Sequence, residues 1–201
     1  MKQVISDLAK LLEQKNLNPR VNLERPLFIQ PEDRIIYRSS RIVLILGMLN
    51  TSSGLSKEVI ACMDFLLRNS GYQKRFIIEY FKDIKTNLQK KLLQYAPSEN
   101  IEIDFNIVQY KSVPWDLRFN DMFLFLLVRK LVSFKGERPN TRVKITEDGV
   151  KYFNTIKDIF IDELNFLELF GKRLSEDKTK QIITDVIPNT YWKDNEKLDY
   201  Q

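Results

Sequence analysis

The feature that most constrains this chain is the stretch 114–154, where three folding signals follow one another in a fixed order. Leu117, Met122, Phe123, Phe125, Leu126, Val128 and Leu131 make an apolar run dense enough for a helix largely covered by other elements. Val132-Ser133-Phe134 then leads out as a strand, and Lys135-Gly136-Glu137-Arg138-Pro139-Asn140 supplies the Gly and Pro that a turn requires. Arg142-Val143-Lys144-Ile145 returns with the alternation of a half-buried strand. Thr146 carries a hydroxyl that can cap a new helix, Glu147 and Asp148 suit its positive end, and Ile145 can staple onto Val150. A helix, a basic hairpin and an abruptly capped helix in that order predict a winged helix-turn-helix. The class expected is mostly α, formally α+β, with additional helices at both ends.

Around that centre the chain divides into three parts. Residues 1–33 open with Val4, Ile5, Leu8, Leu11 and Leu12 on one helical face, followed by an extended segment carrying Pro26 and Pro31. Such a helix docks either on a partner or on its own domain, and Leu8, Leu11 and Leu12 are candidate interface residues. Residues 34–188 form the winged-helix domain with its helical additions. A first helix is expected over 34–50 with Ile35, Ile36 and 42–46 in the core, and a second, capped by Ser56, to about Asn69. A long helix is expected over 75–95. Alternation at Ile101, Ile103, Phe105 and Ile107 suggests a strand that pairs with the wing, and 111–116 leads into the central helix. After the wing, one or two helices run from Thr146 to about Phe170, Gly171 interrupts, and a last helix spans 175–186 before Pro188. The polar tail 189–201 carries Tyr191 and Trp192, candidates for a partner contact or for packing back on the domain.

The composition excludes more chemistry than it suggests. There is no histidine and one cysteine, so the imidazole-dependent triads and the common zinc sites drop out. Cys62 lies among apolar residues, reads as a buried thiol, and allows no intramolecular disulfide. A carboxylate-only magnesium site would need a strand acid such as Asp104 followed by a Glu-x-Lys on a neighbouring strand, and none follows. Gly171-Lys172-Arg173 lacks the upstream glycine and the hydroxyl of a phosphate-binding loop, so ATP binding by that route is not expected. No catalytic residue, metal or cofactor is expected. The longest apolar run, 42–49, is far too short to span a bilayer, and the N-terminus lacks a signal-peptide core. A cytoplasmic, non-membrane protein follows as the expectation.

The positive signal is charge. Formal net charge is +5 and the pI near 9.1, which suits nucleic acid or an acidic protein. Arg118, Arg129 and Lys130 fall on the central helix, and Lys135, Arg138, Arg142 and Lys144 on the wing. In a DNA-bound winged helix the helix would enter the major groove and the wing would touch phosphate. Against that, 123–128 is unusually apolar for a groove helix, and Asp116 and Asp121 at its start repel phosphates.

At these residues the chain resembles a known family. Val113-Pro114-Trp115-Asp116 before a helix ending Leu126-Leu127-Val128-Arg129-Lys130, and the closing Ile145-Thr146-Glu147-Asp148-Gly149, resemble the middle components of bacterial ABC-three-component systems. These include the small subunit of Lamassu anti-phage and anti-plasmid systems, and the likeness covers about 31–189. The resemblance implies a non-catalytic adaptor that sits with an SMC-like ATPase and an effector subunit, often a nuclease, and couples DNA or ATP state to effector release. DNA contact would then be non-specific. The alternative is a stand-alone winged-helix transcriptional regulator that reads DNA.

Overall fold

A computed structural model describes residues 34–49, 52–83, 107–136, 141–171 and 174–192. Helix α1 (Ile35–Met48) lies at the centre, touching most of the other helices. Ile42, Val43, Leu44 and Ile45 are shut from solvent in it, each contributing roughly 1.5–3 kcal/mol of hydrophobic burial. Ile35 and Ile36, in the first turn of the helix, are exposed, contrary to the sequence expectation.

A turn at Gly54, whose φ is +78°, leads into β1 (Leu55–Ser56) and α2 (Lys57–Arg68). Ser56 caps α2 as expected, its hydroxyl accepting from the Val59 N–H at 3.4 Å. A single 3-10 turn joins it to α3 (Gln73–Tyr80). The described part of the expected 75–95 helix ends in a turn at 81–83, and 84–106 lie outside the described residues, as does Asp104.

The chain re-enters as β2 (Ile107–Tyr110), which pairs antiparallel with β3 (Val113–Asp116). The expected pairing of the 101–107 strand with the wing is therefore corrected for Ile107, and 111–116 is a turn and a strand, not a lead-in. Lys111 and Ser112 both hold positive φ, 48° and 64°, so the two-residue loop twists as a type I′ hairpin does. Closing strands across two residues involves far less chain ordering than recruiting a distant wing.

Helix α4 (Phe119–Val128) buries Phe119, Met122, Phe123 and Leu126, the spacing of a one-sided helix. The expectation of a largely covered helix fails on the other side: Leu117, Leu124, Leu127 and Val128 are exposed. The helix ends in a Schellman motif, with Leu131 N–H donating to the Leu126 carbonyl and Lys130 N–H to that of Leu127, and Lys130 at φ +57°.

Strand β4 (Val132–Lys135) pairs with β5 (Arg142–Ile145), register Val132 with Ile145 and Lys135 with Arg142. The intervening 137–140 lie outside the described residues. β5 also pairs with β1, giving a three-stranded antiparallel sheet in the order β1-β5-β4. Thr146 caps α5 (Glu147–Ile156), accepting from the Gly149 N–H at 3.0 Å. Its hydroxyl also donates to the Lys130 carbonyl at 2.6 Å, tying the cap to the end of α4. Helices α6 (Ile161–Glu168) and α7 (Glu176–Val186) complete the described fold, and Ser175 caps α7. The class is mostly helical with two small sheets, α+β. No helix among the described residues is long and apolar enough to cross a membrane.

Candidate nucleic-acid and protein interface

The basic residues singled out in the sequence separate into two groups. Arg118 precedes α4 and turns back toward β3: its N–H donates to Asp116 Oδ1 at 2.8 Å and its Nε lies 3.7 Å from the same oxygen. Arg142 at the start of β5 is also engaged inward. Its Nε and Nη2 donate to the Gly54 carbonyl at 3.2 and 2.9 Å, and Nη2 pairs with Glu176. Lys144 shares Arg142's face of β5 and is half-buried. Arg129, Lys130 and Lys135 are exposed, Arg129 with its guanidinium 5.5 Å from the Phe125 ring centroid. Arg138 lies outside the described residues.

The start of β5 borders a cleft of about 680 Å³ between the starts of α2 and α7 and the β2–β3 turn. Its cations are matched by acids: Lys111 with Glu58 at 3.4 Å, Arg142 with Glu176, and Lys180 with Asp177 at 3.2 Å. A surface balanced in this way has little net field with which to draw a phosphate backbone.

Asp116 does not face a groove. It is buried at the end of β3, where Arg38 Nη2 and Arg68 Nη1 donate to its Oδ2, the latter at 2.9 Å. Arg41 donates to Asp64 at 3.1 Å beside it. Burial pushes the Asp116 carboxyl up from its ordinary range against the pull of Arg38 and Arg68, and burial lowers the Arg68 guanidinium. This network was missed in the sequence. Its signal was Arg38 and Arg41 one turn apart in an apolar helix and Asp64 inside the apolar run of α2, charges that a buried helix carries only when paired. Asp121, in the first turn of α4, does remain exposed.

Of the two alternatives for the tail, Tyr191 takes packing back on the domain and not the partner contact. Its ring stands edge-on to Phe65 at 5.4 Å and Tyr72 at 6.2 Å and is 4% exposed, so it is a core residue. Trp192 packs beside it at 5.0 Å and is half-buried. Leu8, Leu11 and Leu12 lie outside the described residues. Cys62 is fully buried, and desolvation raises its thiol far above the reactive range. Among the described residues no three His, Cys, Asp or Glu side chains are grouped to hold a metal.

What the surface does present is the outer side of α4. Leu124 and Val128 succeed each other one turn apart with Leu127 alongside, Asp121 stands at the start and Arg129 at the end. Apolar side chains bracketed by charges suit a protein contact better than a DNA groove. No protein-family model, curated protein or solved structure matches the chain.

Proposed function

We propose that this chain is a non-catalytic winged-helix adaptor, a structural subunit that joins an SMC-like ATPase to an effector in an anti-phage or anti-plasmid complex. The strand order β1-β5-β4, with a helix before and a capped helix after the β4–β5 hairpin, supports the winged-helix assignment. The hairpin β2–β3 and helix α3 would then be an insertion between the second and third helices of that motif. The observation that carries the adaptor reading is the outward face of α4. At the position where a DNA reader displays base-contacting polar groups, this chain displays Leu124, Leu127 and Val128.

The tie between Arg142, Gly54 and Glu176 supports the same reading, because it spends the Arg142 guanidinium on the fold. The exposed Arg129, Lys130 and Lys135 favour at most a sequence-independent phosphate contact. Co-expression with an SMC-like ATPase of such a system tests the proposal. Stable co-purification is the expected result, and a chain that elutes without the ATPase counts against it. The rival, a stand-alone regulator, requires tight, salt-dependent and sequence-selective DNA binding by the isolated chain.

A further inference from the structure

The cleft beside β5 is lined among the described residues by charged and hydroxyl side chains alone, and its charges are Lys111, Arg142 and Lys180 against Glu58, Glu176 and Asp177. Two of the pairs join elements far apart in the chain. Lys111 in the β2–β3 turn meets Glu58 on α2 at 3.4 Å, and Arg142 on β5 meets Glu176 on α7. The third, Lys180 with Asp177, closes within α7 at 3.2 Å. All three pairs are partly open to water, so each contributes little to stability. What they set is the sign of the local field. With the acids in place the charges cancel; without them three cations face one space, and the positive ends of α2 and α7 add to it. Arg142 would keep both bonds to the Gly54 carbonyl after losing Glu176, so its guanidinium is held beside the cleft in either state. Lysines and an arginine fixed around such a space suit a phosphate chain, which they bind by releasing its counterions.

We infer that Glu58, Glu176 and Asp177 are an autoinhibitory screen, which keeps Lys111, Arg142 and Lys180 from a nucleic-acid phosphate backbone until a basic partner takes up the acids. The inference goes beyond the adaptor reading, adding a contact that the free chain conceals.

Fluorescence anisotropy of the full chain on a short labelled DNA duplex of arbitrary sequence tests it. Glu58→Gln, Glu176→Gln and Asp177→Asn together remove the screen. Asp148→Asn, Asp158→Asn and Asp162→Asn, at exposed acids that do not line the cleft, add the same charge elsewhere. The first set is expected to bind about tenfold tighter than the second, with a log–log salt slope steeper by about 2–3, near 0.9 for each cation released. Adding Lys111→Gln to the first set should take back about 1 of that slope. Equal affinity and equal slope in the two sets overturn the screen, since net charge alone then accounts for the gain. Asp177 is 99% exposed, so Asp177→Asn alone leaves the fold intact, and it too should steepen the slope relative to Asp148→Asn. No difference between those two single variants also overturns the screen. Co-purification with the ATPase is a separate readout, so failure of the screen and failure of the adaptor reading are distinguishable.

Discussion

Thr146, Gly149 and Lys130, where the end of α4 meets the start of α5, show how much of the fold rests on single atoms. The Thr146 hydroxyl accepts from Gly149 N–H and donates to the Lys130 carbonyl, so one oxygen both starts α5 and closes α4. Thr146→Ala should lower stability by about 1–2 kcal/mol, the upper part of the range for a lost cap, in a urea titration. Gly149 is constrained by contact instead of by φ. A Cβ there would run into the Leu131 carbonyl and the Ile145 side chain, so Gly149→Ala should cost about 1–3 kcal/mol, despite alanine's higher helix propensity. Lys130 stands in the left-handed region where glycine is at ease, and Lys130→Gly should stabilise by about 0.5–1 kcal/mol. Asp116, at the end of β3, is more sensitive than these three. Asp116→Asn removes the charge that Arg38 and Arg68 share, and about 3–5 kcal/mol should be lost, where Asp121→Asn on the surface should change little.

At the level of elements, those that were legible in the sequence are the ones whose signals are local. Ser56 and Thr146 each announce a helix start by a hydroxyl ahead of an apolar period, and each caps as its position predicts. The β4–β5 hairpin shows period-two alternation on its return strand, and it forms in that register. The β2–β3 hairpin was invisible because its turn is Lys111-Ser112, without the Asn-Gly or Asp-Gly that usually marks two positive φ angles. The face of α4 was misjudged for a different reason. In its C-terminal half the outward Leu124, Leu127 and Val128 are as apolar as the inward positions, so composition indicates cover on both sides while the neighbours supply it on one. The inward turn of Arg142 could not be read either, since Glu176 and Gly54 are brought to it only by folding. From that tie, Arg142→Ala should lower the melting temperature yet leave the salt slope of any DNA binding unchanged. Loss of an arginine bound to phosphate would instead reduce the slope by about 1.

In the molecule as a whole, the C-terminal segment is part of the core. After α7 the chain turns at Pro188, with the Tyr191 N–H donating to the Pro188 carbonyl, and carries Tyr191 back over α2 against Phe65 and Tyr72. A second aromatic group, Phe76, Tyr80, Phe81, Phe166 and Phe170, links α3 to the end of α6, with ring centroids 5.0 to 5.8 Å apart. Tyr80 joins it to the start of α7, its hydroxyl accepting from Ser175 N–H at 2.6 Å. Helix α7 packs on α2 and α3, with Tyr80 bonded at its start and Tyr191 placed just past its end. Tyr191→Ala should therefore act on folding before it acts on any partner. Truncating a buried aromatic costs about 3–5 kcal/mol, which for a chain of this size lowers the melting temperature by roughly 10 °C. If the tail served instead to grip a partner, the same substitution would leave the melting curve of the isolated chain in place and abolish only the complex. Calorimetry of the variant beside the wild type separates the two, and conversion of Trp192, half-exposed at the rim, should move the curve by much less.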